Sequence, residues 1–382
     1  MSKPPKAARV GPAPKALAAA SAAPPLAAEA LVPLPWQRPL WEQLGAGLEG
    51  GRGHHACLLV APEGLGPSHL AACHAARLLC FAPRPEPDLD AGPGPGLDPG
   101  PGGACGTCTS CRLWRAESHP DFLRAAPEEA GGTLRIDQVR ELLDFAILSS
   151  HLGRGRVILL DPADAMNRAA ANCLLKLLEE PPSGVVLILV AHRLAGLPAT
   201  ILSRCQRYTL ARAAPALALP WLAGRLPAGA VPALALDLAG GAPLTALRQA
   251  ESGWAEEADR VLADLLALLA GRADPVAVAA RWGKLGVEAV VGVLLRLVED
   301  LLRWRAGAPP PAWQARLPPG QADLQRAVNA LDFKQMFHIR GQLLDLRRQI
   351  GLRIALRGQE QLEGLTLGIA WAVAGAVAAK PL

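Results

Sequence analysis

Asp161 closes the apolar run Val157–Leu160. A buried parallel strand delivers a carboxylate in this way to the carboxyl edge of a sheet, where α/β folds bind their ligands. The run resembles a Walker B strand, whose terminal Asp helps hold Mg²⁺. In a working ATPase of this type the next residue is a Glu that polarises the attacking water. Here it is Pro162, which cannot act as a base.

A second such stretch lies upstream. Ala56–Val60 reads as a buried strand, followed by Ala61-Pro62-Glu63-Gly64-Leu65-Gly66-Pro67-Ser68. In the Walker A pattern G-x-x-x-x-G-K-[ST], backbone N–H groups cradle phosphates, the Lys reaches the terminal phosphates and the hydroxyl meets Mg²⁺. Gly66 and Ser68 fit. Ala61 stands at the first Gly and Pro67 at the Lys. Pro67 removes both the ammonium and a backbone donor. An ordinary Gly-rich turn opening a helix is the plainer alternative. Its pairing with a Glu-less Walker B strand favours a degenerate nucleotide site built from Gly64, Gly66, Ser68 and Asp161.

Three cysteines, Cys105, Cys108 and Cys111, recur at a spacing that lets their thiolates converge on one tetrahedral Zn²⁺. A closed structural site needs a fourth ligand. Cys80 is the first choice; Cys73, His74 and His119 are rivals. Cys57, Cys173 and Cys205 sit in apolar runs and read as small buried hydrophobes.

The elements that position these residues follow from periodicity. Strand Val157–Leu160, a helix over Ala163–Leu178 stopped by Pro181-Pro182, and strand Val185–Val190 form a βαβ unit of a parallel sheet. Trp36–Leu48 reads as a first helix, and a second runs from about His69 to Cys80 after the Gly-rich loop. Phe81–Ala104 is a Pro/Gly-rich surface insertion. His119-Pro120-Asp121 leads into an extended stretch, Phe122–Ala126, and Ile136 to Ile147 is amphipathic. Gln206–Leu210 is the last strand expected. Residues 215–250 hold two or three short helices. Beyond Gly253 the candidates are Trp254–Leu269, Val276–Lys284, Val287–Trp304, Gln321–Leu331, Phe333–Ile350 and Gln359–Ala378.

At 382 residues and 51% hydrophobic, the chain builds two or three domains with real cores. A net charge of +5 permits an anionic partner without arguing for one. Prolines interrupt the N-terminal stretch, so residues 1–33 read as a disordered tail rather than an export signal. Leu365–Ala379 is too short to span a membrane and reads as a buried helix. The expectation is a cytoplasmic protein with no membrane partner and no disulfide framework.

These residues together resemble a known family, the delta-prime subunits of the bacterial DNA polymerase III clamp loader. The resemblance rests on RGHHACLLVAPEGLG, on ARLLC followed by CGTCTSC and HPDF, on NRAAANCLLKLLEEPP, on ATILSRC and on FHIRGQLL. It implies an α/β then all-α architecture: a RecA-like AAA+ domain over residues 34–211 and a helical lid over 212–252. A zinc module at about 80–119 is embedded in the first, with the insertion at 82–104. A helical collar and oligomerisation domain over 253–382 follows. It also implies a non-hydrolysing stator that gives Arg204, of the S-R-C motif, as a trans arginine finger to ATP on a neighbouring gamma or tau subunit. Implied partners are gamma/tau and delta, and indirectly the beta sliding clamp and primer–template DNA. The implied cofactor is structural zinc on Cys80, Cys105, Cys108 and Cys111. Two other readings differ at named residues. An active gamma-like ATPase needs Lys at position 67 and Glu at position 162. A zinc-dependent nucleic-acid-binding protein needs basic and aromatic residues interleaved around the cysteines, where only Arg112, Trp114 and Arg115 stand, with Glu117 close by.

Overall fold

The structure is a computed structural model that describes residues 32–49, 55–84, 103–129, 131–228, 230–251, 254–308, 332–351 and 358–378. It divides into two compact units, Met1–Ala214 and Pro215–Leu382.

The first unit is built on five strands: β1 (Ala56–Val60), β2 (Phe122–Ala125), β3 (Arg156–Leu160), β4 (Val185–Ala191) and β5 (Gln206–Thr209). They lie in the order β2-β3-β4-β1-β5, and every pairing is parallel. This is the RecA-like AAA+ arrangement. Every residue of β1 and β3 is buried, Arg156 at the start of β3 included, as their apolar runs require of a sheet covered on both faces. Alternation then divides the strands. Leu58, Ile158, Leu160, Leu187 and Leu189 face one core. They share it with Val139 and Leu142 of α4 (Ile136–Ala146) and with Leu174, Leu177 and Leu178 of α5 (Arg168–Glu179). On the other face α2 (Pro67–Leu79) lies across β3 and β4 and meets α1 (Arg38–Glu49).

Several boundaries differ from the periodic reading, each for a local reason. The second helix begins two residues earlier, at Pro67, because proline's fixed φ suits the first helical turn. The single helix expected over Ala163–Leu178 is broken. A 3₁₀ turn spans Ala163–Ala165, and α5 starts at Arg168, where the Asn167 side chain accepts from the Ala170 amide at 2.8 Å. A short helix, α3 (Thr109–Arg115), stands where sequence alone suggested only a metal loop. The cysteine module thus has a helical arm.

The second unit is all helix: α7 (Pro215–Ala223), α8 (Pro232–Leu238), α9 (Pro243–Glu251), α10 (Trp254–Leu269), α11 (Pro275–Leu285), α12 (Val287–Arg305), α13 (Phe333–Gly351) and α14 (Gly358–Ala378). One four-residue helix, α6 (Ala199–Leu202), belongs to the first unit. The core of the second joins Leu262, Trp282, Leu294, Leu343 and Leu362, with Leu234 from α8 among them. The helix expected at Gln321–Leu331, the N-terminal tail and most of the Pro/Gly insertion lie outside the described residues. Among the described residues no helix is long and apolar enough to cross a membrane.

Candidate functional site

The Gly-rich loop joins β1 to α2 through Gly64 and Gly66, whose φ values of 87° and 78° only glycine adopts without strain. Its outer carbonyls are held from outside. The Trp36 Nε1–H donates to Leu65 O at 2.9 Å, and the Gln37 side-chain amide donates to Leu65 O and Gly66 O at 3.0 and 2.7 Å. His192, just past β4, stands within 3.2 Å of Ala61 O, and its amide donates to Asp164. The first helical residue is Pro67, so no ammonium points into the loop.

Asp161 lies where β3 delivers it, buried, and both its oxygens are engaged. The Ser68 hydroxyl donates to Oδ1 at 2.9 Å, and Arg124 Nη2 donates to Oδ2 at 2.7 Å. Ser68 and Asp161, read as one site, do meet. Arg124, on β2, joins them without any signal in the sequence spacing. A cation at this carboxylate would have to displace a guanidinium that is already charged and fixed. With Pro67, Pro162 and Arg124 in place, the residues do not fit a catalytic Mg²⁺–nucleotide.

Arg204 lies elsewhere. It follows α6 and precedes β5, whose Gln206 sits opposite Cys57 at the beginning of β1. Asp161 lies past the end of β3, and three strand spacings separate β3 from β5. Strand rise and strand spacing put the two backbones on the order of 15–20 Å apart, beyond the reach of an arginine side chain. Arg204 is exposed. Its Nη2 pairs with Glu179 at 2.7 Å, and its Nη1 donates to Thr200 O at 3.0 Å and to Ser203 Oγ at 3.3 Å.

The four cysteines converge. The sulfurs of Cys80, Cys105, Cys108 and Cys111 all lie within 4.8 Å of one another, with Cys80–Cys111 at 3.7 Å and Cys80–Cys108 and Cys105–Cys111 at 3.9 Å. Zn–S bonds of about 2.3 Å at a tetrahedral ion set the sulfurs about 3.8 Å apart, so the spacing fits a metal and not a disulfide. Amides support the thiolates: Cys105 N–H points at Cys80 Sγ at 3.2 Å, Cys108 N–H at Cys105 Sγ at 3.3 Å, and Cys111 N–H at Cys108 Sγ at 3.5 Å. Burial raises the Cys105 thiol, but the Thr107 and Cys108 amides outweigh it and bring it down to about 5. Burial pushes Cys80 and Cys111 upward. The rivals lie outside this cluster. Cys73 lies against His69, at 3.5 Å. His74 is buried edge-on to Trp41, and its burial lowers its pKa to about 4. His119 meets Ser110 Oγ at 2.9 Å and accepts the Asp121 amide at 3.1 Å.

That histidine joins the module to the start of β2 through the Asp121 amide, and Ser110 joins it to α2 by donating to Leu79 O at 2.8 Å. Beside it the buried Asp121 accepts from the His151 and Leu152 amides and the Ser150 hydroxyl, at 2.7, 2.8 and 2.9 Å. Arg156 lies 3.9 Å away. Burial raises Asp121, and these donors with Arg156 outweigh it, so its pKa is lowered. His119 and Asp121 are therefore structural.

Comparison with known proteins shows what the chain as a whole is similar to. A family model described as "DNA polymerase III, delta subunit" matches residues 36–214. The chain is 41% identical over 237 residues to a Pseudomonas aeruginosa protein named DNA polymerase III subunit delta'; the match covers 62% of this chain and 66% of that relative, just under two thirds of its length. It is 33% identical over 350 residues to the subunit delta' of Yersinia pestis, covering 86% of this chain and 94% of the relative. A DNA polymerase III subunit tau of Salmonella typhimurium is 33% identical over 167 residues, 44% of this chain and 23% of that one.

Proposed function

The chain belongs to the delta-prime family of DNA polymerase III subunits, and from that premise we propose that it is a non-hydrolysing stator of a sliding-clamp loader, presenting Arg204 to ATP held by a neighbouring subunit. The observation that carries the reading is the separation of its parts. The chain's own Walker-like carboxylate is taken by Ser68 and Arg124, while the S-R-C arginine stands at the opposite end of the parallel strands, too far away to serve that carboxylate. An exposed guanidinium so placed is available to a phosphate on another chain and not to one at its own carboxylate. Its planar fork suits phosphate oxygens, and charge developing on a transferred phosphoryl group is what a finger stabilises.

The neighbour in this reading is a gamma or tau subunit, in keeping with the shared sequence of the tau relative. Delta, the beta clamp and primer–template DNA complete the assembly, in the cytoplasm. The four cysteines hold one structural Zn²⁺ that props the module on α2, and the second unit supplies the collar. An active ATPase is disfavoured by Pro67 and Pro162, and a nucleic-acid-binding zinc module by the absence of a basic run beside the cysteines.

The test is a ring reconstituted with gamma or tau and delta. Arg204→Ala is expected to assemble normally and to lower the DNA- and clamp-stimulated ATPase in part, since one site faces this chain. At that site the loss is about 10³- to 10⁵-fold. Arg204→Lys keeps the charge without the fork and rescues poorly. Full rates in both variants, with assembly confirmed, would show Arg204 to be structural.

A further inference from the structure

Arg204 is held within its own chain. Both terminal nitrogens of its guanidinium are engaged, Nη2 on the Glu179 carboxylate and Nη1 on Thr200 O and Ser203 Oγ. We propose that Glu179 is a positioning residue that parks Arg204 until a phosphate on a neighbouring subunit displaces it. The proposal rests on the finger reading of Arg204 given above.

The backbones on both sides are fixed. Glu179 is the last residue of α5, which is anchored by the buried Leu174, Leu177 and Leu178. Glu180 and then Pro181-Pro182 follow. α5 crosses back over the sheet between two parallel strands, so its C-terminal end returns to the edge where β5 begins, beside Arg204. Arg204 in turn donates its amide to Ile201 O at 3.1 Å, and Ile201 is buried. Only the two side chains are left to exchange.

The pair is weak enough to release. Arg204 and Glu179 side chains are 36% and 48% exposed, and ion pairs open to water contribute little. A polyphosphate carries more charge than one carboxylate and accepts the planar fork in two bonds, so it outcompetes Glu179 once the neighbour closes. Thr200 O and Ser203 Oγ meanwhile hold Nη1 along α6, so the released arginine keeps its direction. The pairing therefore restrains hydrolysis before the ring is assembled on DNA.

Glu179→Gln removes the charge at nearly constant volume. In the reconstituted ring it is expected to raise the DNA-independent ATPase at the site facing this chain by about two- to fivefold, the range an exposed ion pair spans. The DNA-stimulated rate should change little. Glu179→Asp should restore part of the restraint. In an Arg204→Ala background the Glu179→Gln effect should vanish. An unchanged or lower basal rate in Glu179→Gln, with assembly confirmed, overturns the proposal. So does a rise that persists without Arg204, because Glu179 would then act elsewhere. A wild-type rate for Arg204→Ala alone would instead overturn the finger reading, and the parking role with it.

Discussion

Asp161 and Arg124 show what was hidden at the scale of single residues. Asp161 was legible because it ends an apolar run, and Ser68 because it follows a Gly-rich turn. Arg124 was not, because its partner lies 37 residues away, just past the end of the adjacent strand, and nothing in the spacing joins them. Strand order alone brings β2 beside β3. Asp161 is buried and Arg124 partly buried, with side-chain exposures of 3% and 15%. Breaking such a pair from one side is costly because a charge is left in a dry site. Arg124→Ala is therefore expected to destabilise the first unit by about 3 kcal/mol, the lower end for one-sided removal because Arg124 is only partly buried. Arg124→Ala/Asp161→Asn should recover much of that loss, because the residual charge is gone. Thermal or denaturant unfolding of the two single variants and the double variant measures the coupling. Additive losses would mean that Asp161 and Arg124 do not interact.

At the scale of elements the cysteine module joins four converging sulfurs to a short helix. The three-cysteine spacing was readable, and so was Cys80 as first choice for the fourth ligand. The helix α3 was not readable, because seven residues carry too little periodicity and its start is capped by Cys108 Sγ, which accepts the Cys111 amide. The same sulfur that faces the metal position thus begins the helix. In the same way Asn167 interrupts an Ala-rich stretch that periodicity read as one continuous helix, because a capping side chain decides where a helix begins. Metal removal should therefore loosen α3 while the sheet stays protected. The purified protein is expected to carry one equivalent of zinc, and Cys80→Ser to lose most of it. Hydrogen exchange after chelation should show faster exchange at residues 105–115 and unchanged protection in β1, β3 and β4. Full metal content in Cys80→Ser would relocate the fourth ligand, and uniform loss of protection would make the metal a global rather than a local support.

At the scale of the whole molecule, two cores decide where the chain can be cut. The sheet core runs from Ala56 to Ile201 and the helical core from Leu234 to Ile369. Composition placed a small lid apart from the helices that follow it, with a break near residue 252. α8 argues against cutting there. Its Leu234 is buried in the helical core, with Leu238 packed against it, and its Asp237 pairs with Arg296 of α12, which also bonds Asp300 at 3.2 Å. A chain ending at 252 leaves those leucines without cover and Asp237 without its partner. A chain ending at 214 severs neither core. The fragment 1–214 is thus expected to be folded, metal-loaded and unable to enter a ring. The fragment 1–252 should be less soluble, because exposed apolar groups that lack their partner helices favour association. The fragment 215–382 should be helical and compete with the full chain for assembly, since the collar role assigned to this unit requires its surfaces and not those of the sheet. Size-exclusion chromatography with gamma or tau and delta, beside circular dichroism of each fragment, makes the comparison. Stable incorporation of 1–214 would place the assembly surface on the α/β unit and remove the collar from the argument. Equal solubility of 1–214 and 1–252 would mean that α7, α8 and α9 close their own core without α10 and α12.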